Sequence, residues 1–186
     1  MPAAAPDDSE ITAWALAARS GDRAAASAFI RATTRDVHRF LSHLADRADV
    51  EDLAQDTYLR AMRALPRFDA RSTAKTWLLS IARRAAADHI RTLRRRPRTA
   101  WSPPAPGSGA EAAPSFDGEI LLRHLLDSLE PGRREAFVAT QVLGLTYAEA
   151  AEVCQCPVGT IRSRVARARE DLVAALRADE DRAAAT

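Results

Sequence analysis

Apolar and small residues between positions 50 and 65 recur at gaps of three and one, which places them on one face of an α-helix. The stripe contains Val50, Leu53, Ala54, Thr57, Tyr58, Ala61, Met62 and Leu65. We predict that this stripe packs into a helical core. The opposite line of the same helix holds Asp52, Gln55, Asp56, Leu59 and Arg63. A leucine within a polar, acidic line indicates a surface that docks a partner, but isolated exposed leucines are common, and a plain solvated face remains open.

A second helical stripe follows the polar loop from Phe68 to Lys75. It consists of Ala74, Trp77, Leu78, Ile81, Ala82, Ala85 and His89, and it ends in a block of arginines too charged for a core. Trp77, at the start of this helix, suits either a core position or a ring that contacts unstacked bases. Aromatic and basic side chains beside a polar loop are typical of single-stranded DNA binding, because the bases stack on aromatic rings and the phosphates pair with basic side chains.

The run from Thr146 to Arg169 predicts two helices joined by a tight turn. Thr146 and Glu149 have capping-box spacing, so a short helix over 147–153 begins there. Pro157 fits the first turn of the next helix. The apolar stripe of that helix is Val158, Ile161, Val165, Ala168, Leu172 and Leu176, and the residues off the stripe include Arg162, Ser163, Ala166, Arg167 and Arg169. This pattern favours a helix-turn-helix that presents arginines to the DNA major groove, with an ordinary basic surface as the alternative.

The whole chain is predicted to be all-α, with two small helical domains over 10–96 and 118–178. Alanine is abundant, glycine is scarce, and no run of alternating β-branched residues predicts a strand. The segment 97–117 between the domains holds five prolines and two glycines, and we predict a flexible linker there. Its 21 residues reach about 70 Å when fully extended, so the domains can dock on DNA several helical turns apart.

The net charge of +2 conceals two oppositely charged blocks. Seven arginines and one acid between Arg83 and Arg98 give +6, whereas five acids and one arginine between Asp46 and Asp56 give −4. Such a partition favours one surface for nucleic acid and another for a protein partner.

Other chemistry is sparse in this sequence. Cys154 and Cys156 form a single Cys-x-Cys motif, and the four histidines are scattered along the chain. A structural zinc site needs four ligands, so neither a metal site nor a cofactor is expected. We expect Cys154 to pack, reduced, at the end of the first motif helix. No phosphate loop and no pattern of nucleophile and base is present, so catalysis is not expected. An acidic, proline-containing N-terminus and the lack of a long apolar stretch predict a cytoplasmic protein.

Three motifs in fixed order resemble the bacterial extracytoplasmic-function (group IV) sigma factors, among them the actinobacterial sigma-C-like members. The first motif spans Asp49 to Ala61. The second spans Phe68 to Arg91 and contains Thr76-Trp-Leu and Ile81-Ala-Arg. The third combines Leu129 to Phe137, Gly144 to Tyr147, and Pro157 to Arg164. The resemblance covers Ile11 to Leu176.

The resemblance implies three sets of site residues. Core polymerase, through the clamp helices of its largest subunit, would bind Asp49, Asp52, Gln55, Asp56, Leu59 and Arg63. The promoter −10 element would be melted and bound by Arg71, Ser72, Thr73, Lys75, Trp77, Arg84, Arg91 and Arg94. In that set the loop Ala70 to Lys75 would hold a flipped base, braced by Trp77. The −35 element would be bound by Thr160, Arg162, Ser163, Arg164, Ala166 and Arg167.

The function implied is that of a non-catalytic specificity subunit, which binds core RNA polymerase and directs promoter-specific transcription initiation. Many relatives have asparagine at the position of Arg84, and some have a larger residue at that of Ala166, so base preferences do not carry over at these two positions. Two other classes stay open on the residues alone: an autonomous helix-turn-helix regulator and a nucleic-acid-processing enzyme. Relatives are often held inactive by an anti-sigma protein. Alternatively, the two domains mask each other when the chain is free, since the linker is long enough and their charges are complementary.

Overall fold

The computed structural model describes residues 6–95 and 117–184, and every regular element in these ranges is helical. The predicted all-α class is therefore confirmed. The first domain contains α1 (Asp8–Arg19), α2 (Arg23–Ser42), α3 (Val50–Ala64) and α4 (Ala74–Arg95). The second contains α5 (Asp117–Asp127), α6 (Pro131–Phe137), α7 (Tyr147–Cys154) and α8 (Val158–Ala184). A π-helical turn over Val138–Val142 continues α6.

The first domain is built around α2, which packs against α1, α3 and α4. Aspartates begin the first two helices: the Asp7 carboxylate accepts from the amides of Ser9 and Glu10, and Asp22 does the same for the start of α2. Phe29, Val37, Phe40 and Leu41 of α2 are fully buried against the predicted stripes of α3 and α4. Those two stripes are confirmed as the core faces of their helices. α4 also buries Leu79 and Ala86, which lie outside its predicted stripe.

The second domain contains the predicted helix-turn-helix. The capping box is present, because the Glu149 amide donates to Thr146 Oγ1 (3.2 Å) and the Thr146 amide donates to Glu149 Oε2 (2.9 Å). Gln155 takes a left-handed conformation (φ 53°) and ends α7. Ile161, Val165 and Ala168 of α8 are buried.

The predicted stripe lies on one helix, α8, but its two ends are not buried. Val158 is 37% exposed and Leu176 is 40% exposed. Val158 lies in the first turn, at the edge of the motif, and Leu176 lies in the extension of α8 beyond the buried stretch. Periodicity identifies the face of a helix that can be buried, but the length of that face depends on what packs against it.

The two domains pack against each other, with α7 lying against α4. Their buried side chains form one continuous cluster. A polar contact supports the packing at its edge, where Arg123 of α5 donates to the Ala45 carbonyl (3.5 Å). Within the described ranges, no helix is both long enough and apolar enough to cross a bilayer.

Candidate functional site

The face of α3 opposite its core stripe is open to solvent. Leu59 is 52% exposed, and the neighbouring side chains of Asp52, Gln55 and Arg63 are exposed as well. On the other side of the helix, Leu53 and Thr57 are buried, and the Thr57 hydroxyl is satisfied by the Leu53 carbonyl (2.7 Å). An apolar side chain is thus held on a rigid helix among polar neighbours, as a protein-docking surface requires.

Asp49 does not share this open face. Its Oδ2 lies 3.0 Å from Nε2 of His89 on α4, and both side chains are about two-thirds covered. The structure therefore places Asp49 between α3 and α4, away from the surface around Leu59.

A network of charges crosses from α3 to α4. Arg60 lies 2.9 Å from the Asp56 carboxylate and 2.7 Å from the Asp88 carboxylate, and Asp88 also accepts from Arg91. Hydrogen bonds from Arg60 first, and from Arg91 second, lower the pKa of Asp88. The hydrogen bond that Arg60 donates to the Asp88 carboxylate raises the pKa of Arg60 in turn. The acidic and arginine blocks, predicted to form separate surfaces, are therefore joined along this edge.

The loop before α4 has a defined conformation. Ala70 has φ 55°, and the Thr73 hydroxyl accepts from the Thr76 amide (3.2 Å), which caps α4. Phe68 is buried, with its ring centroid 4.9 Å from that of the half-buried Trp77. Trp77 is therefore partly accessible, and its ring packs against Phe68 of the loop.

The other predicted −10 residues of the loop separate into two groups. Arg71 is almost fully exposed and lies 2.7 Å from Asp69, while Ser72 and Thr73 are half-buried. Lys75 instead turns towards α2, where its Nζ lies 2.8 Å from Asp36 and its side chain is only 17% exposed. Lys75 is thus not brought together with Arg71.

Trp77, Arg84 and Arg91 follow one another at intervals of seven residues, which places them on one face of α4. They line a groove of about 520 Å³, together with Ile81, Ala87 and Arg60. The Arg84 guanidinium donates only to the carbonyl and hydroxyl of Ser80, and no carboxylate among the described residues pairs with it. Its charge is available to a phosphate. The side chain of Arg94 lies outside the described part of the chain.

The second domain also contributes to this groove, through Gln155 at the turn between α7 and α8. Beside it, Arg83 Nε lies 2.7 Å from Glu135 Oε2, with 22% and 16% of the two side chains exposed. Cys154 is buried next to this pair, and burial raises its pKa to about 12. The expected packing of Cys154 is confirmed, whereas the Arg83–Glu135 pair had no signal in the sequence beyond opposite charge.

The exposed side of α8 presents a compact basic surface. Arg162, Ser163, Ala166 and Arg167 are exposed on adjacent turns, opposite the buried Ile161 and Val165. Neither Arg162 nor Arg167 forms an ion pair with another described residue. Thr160 is half-buried, and its carbonyl accepts from the Ser163 hydroxyl (3.0 Å). Two unpaired guanidinium groups on one helix face can bind guanine edges or phosphates.

Two further arginines of α8 are directed towards other parts of the domain. Arg169 donates to the side-chain carbonyl of Gln141 (2.9 Å). Arg164 is half-buried, and its guanidinium lies over the backbone of Gly132 on α6, with Nη1 3.8 Å from Cys156 Sγ. The structure therefore brings together four of the six predicted −35 residues as an exposed group, and separates Arg164 from them.

Comparison with known proteins identifies both domains. Residues 29–96 match sigma-70 region 2, and residues 119–172 match sigma-70 region 4. The chain therefore belongs to the sigma-70 family of RNA polymerase sigma factors, the non-catalytic subunits that direct promoter-specific transcription initiation. It is 50% identical to the ECF RNA polymerase sigma factor SigC of Mycobacterium tuberculosis over 182 residues, covering 97% of this chain and 98% of that protein.

Solved structures agree with this assignment. CnrH in complex with the cytosolic domain of CnrY aligns with a TM-score of 0.71 at 25% identity, covering 93% of this chain and 99% of that one. The sigma factor RpoE of Bartonella quintana, in complex with the anti-sigma factor NepR, aligns with a TM-score of 0.66 at 29% identity, covering 81% and 95%. The prediction of a sigma factor is therefore confirmed, and it replaces the two alternatives, an autonomous helix-turn-helix regulator and a nucleic-acid-processing enzyme.

Proposed function

We propose that three separate surfaces divide the work of initiation. The exposed face of α3, with Asp52, Gln55, Asp56, Leu59 and Arg63, binds the clamp helices of core RNA polymerase. The loop before α4 and the groove face of α4, with Arg71, Ser72, Thr73, Trp77, Arg84 and Arg91, bind and melt the −10 element. The exposed face of α8, with Arg162, Ser163, Ala166 and Arg167, reads the −35 element. The first two surfaces belong to a domain over 10–96 and the third to a domain over 118–178, and a linker over 97–117 joins the two domains.

The observation that carries this division is the position of Leu59. It is a large apolar side chain, 52% exposed, at the centre of a polar helix face whose reverse side packs into the core. Core packing gives no reason for a leucine there, whereas a partner surface with an apolar contact does.

The −10 surface has the chemistry of single-strand capture. Trp77 supplies a ring on which a base can stack, and Arg84 supplies an unpaired positive charge about two turns along α4. Stacking contributes about 1–3 kcal/mol per base and tolerates any sequence. Phosphate contacts then fix the register of the strand.

We further propose that the free chain occupies a closed state. α7 packs against α4, Gln155 lines the same groove as Trp77 and Arg84, and Arg83 pairs with Glu135. This packing narrows the −10 surface but leaves the α3 and α8 faces open. Binding of polymerase through α3 can therefore precede separation of the domains, after which the linker keeps the second domain at high effective concentration near the −35 element.

The proposed place of action is the cytoplasm, with core polymerase and promoter DNA as partners. An anti-sigma factor is a further proposed partner. Support for it comes from the related RpoE of Bartonella quintana, whose structure contains the anti-sigma factor NepR.

A binding experiment with core polymerase tests the docking surface. Leu59→Arg should lower the affinity of the full chain for core polymerase at least tenfold, because it places a charge at the centre of the interface. Ser27→Arg, which adds the same charge on the exposed side of α2, serves as the matched control and should bind as the wild type does. Equal affinity of both variants and the wild type would exclude this face as the docking surface.

A further inference from the structure

Arg164 differs from its neighbours on α8 in the position of its side chain. A Cβ atom built on Gly132 would lie 3.1 Å from the guanidinium carbon, 3.2 Å from Nη2 and 3.3 Å from Nε of Arg164. The planar group thus lies against the backbone at the start of α6. Its Nη1 is also 3.8 Å from Cys156 Sγ, in the turn between α7 and α8. One side chain therefore contacts α6 and the helix-turn-helix turn from α8.

We propose that Arg164 is a positioning residue that sets the orientation of α8 for the −35 element, and that it does not contact DNA itself. This inference rests on the proposed role of α8. Val165 and Ala168 on the buried side of α8 contribute apolar burial, which is non-directional. A planar group that fits over one peptide fixes the register of the two helices.

A second polar contact on the same face of α8 supports this role. Asp171 follows Arg164 by seven residues, so the two side chains lie two turns apart on one side of the helix. Arg133, which is next to Gly132, donates to the Asp171 carboxylate (2.6 Å). Adjacent residues at the start of α6 thus hold α8 at two points, one by a salt bridge and one by the guanidinium over Gly132.

The identity of residue 132 follows from the same geometry. Gly132 lies within α6 and lacks the positive φ of Gly21 and Gly144, so its backbone conformation does not require glycine. Glycine is a poor helix former, and alanine would be preferred on propensity alone. A side chain at position 132 would require the Arg164 guanidinium to shift by a few tenths of an ångström, a shift that glycine avoids.

The first test measures promoter affinity over a salt series. Core polymerase loaded with the full chain is titrated with the duplex promoter that it transcribes most strongly from a random library. Arg164→Ala should lower affinity about tenfold while leaving the dependence of log K on log salt unchanged, since no phosphate contact is lost. Arg167→Ala, the matched control on the exposed face, should lower affinity and relax specificity at one −35 position, as the loss of a base contact does.

The outcomes separate this inference from the proposed function. A slope reduced by about one in Arg164→Ala would show a phosphate contact and overturn the positioning role. Unchanged affinity of a folded Arg164→Ala would also overturn it. If the promoter affinity of Arg167→Ala also equals that of the wild type, the proposed −35 role of α8 is wrong, and the inference fails with it.

A double-mutant cycle gives an independent readout. Gly132→Ala should lower promoter affinity several-fold in the wild type, because the new methyl group displaces the guanidinium. In the Arg164→Ala background the same change should have no further effect, since the methyl group then has room. Additive effects of the two changes would contradict the proposal.

Discussion

The Arg83 guanidinium on α4 lies 2.7 Å from the Glu135 carboxylate on α6, and less than a quarter of either side chain is exposed. This ion pair joins the first domain to the second. It lies beside the groove that holds Trp77 and Arg84. The contact that closes the free chain is therefore adjacent to the surface proposed to capture the −10 strand.

Glu135→Arg should open the chain. Removing one partner of a largely buried pair leaves an uncompensated charge, and such changes cost on the order of 3 kcal/mol. That energy shifts the ratio of closed to open chains roughly a hundredfold. Small-angle scattering of the free protein should show a larger radius of gyration.

The control for domain opening is Asp127→Asn, which removes the ion pair between Asp127 and Arg134 within the second domain. It should leave the radius of gyration unchanged. Arg83→Glu combined with Glu135→Arg should restore the closed form. An unaltered scattering profile for Glu135→Arg would show that the pair does not hold the domains together.

The two cysteines should differ in reactivity. Burial raises the pKa of the Cys154 thiol to about 12, whereas Cys156 is partly exposed. At pH 8 a thiol reagent should modify one group in the native protein and two in denaturant. Cys156→Ser should leave no fast-reacting thiol in the native state. Rapid modification of that variant would mean that the α4–α7 packing opens readily.

Alkaline pH should weaken the folded state through the same buried thiol. An unfolded chain loses the Cys154 proton near pH 9, while the folded chain keeps it to about pH 12. The contribution of the Cys154 thiol to the free energy of unfolding is therefore fully present below pH 9 and is lost as pH rises towards 12. Between pH 8 and pH 10, the urea midpoint of Cys154→Ala should decline less than that of the wild type. An equal decline in the two proteins would show that the Cys154 thiol is not the cause.

Acid should weaken the link between α3 and α4. Hydrogen bonds from Arg60 and Arg91 lower the pKa of Asp88, so its contribution is complete above the unfolded value of about 4 and is lost as pH falls through the lowered pKa. Because these groups are substantially exposed, the effect should be below about 1 kcal/mol.

Asp88→Asn measures this contribution. The urea midpoints of the two proteins should differ at pH 7, should approach each other as pH falls below 4, and should converge at pH 7 in 1 M salt. A difference that persists in acid would assign the effect to packing instead of charge.

Arg162→Ala and Arg167→Ala should each weaken promoter binding. The two guanidinium groups have no partner among the described residues, and a good bidentate contact to guanine contributes about 1–3 kcal/mol. Filter binding with the loaded polymerase measures the loss. Arg177→Ala, on an exposed site ten residues further along α8, should bind normally. Wild-type affinity in all three variants would show that this face of α8 has no role in promoter binding.

Local patterns predicted the helices and the helix-turn-helix because both depend on contacts within one segment. The α3 stripe and the Thr146–Glu149 capping box are determined by spacing, and both are confirmed. Leu59 was also identified from its place on the polar face of α3.

Pairings between distant segments could not be predicted in the same way. Lys75 meets Asp36, Asp49 meets His89, and the Arg164 guanidinium covers Gly132, each across more than thirty residues of chain. Arginines on one helix have the same sequence signal whether they face solvent or another helix. Only the packing of α6 against α8 separates Arg164 from Arg167. The additional buried face of α4, with Leu79 and Ala86, likewise depends on how many helices surround it.

The most direct measurement is transcription by purified core polymerase from a promoter library, without the chain, with the wild type, and with Leu59→Arg or Arg167→Ala. We expect initiation only with the chain, at promoters that share a −10 and a −35 motif. Leu59→Arg should abolish initiation, whereas Arg167→Ala should retain the −10 motif and lose information in the −35 motif. Equal activity and identical motifs for the wild type and both variants would contradict the division of function among the three surfaces.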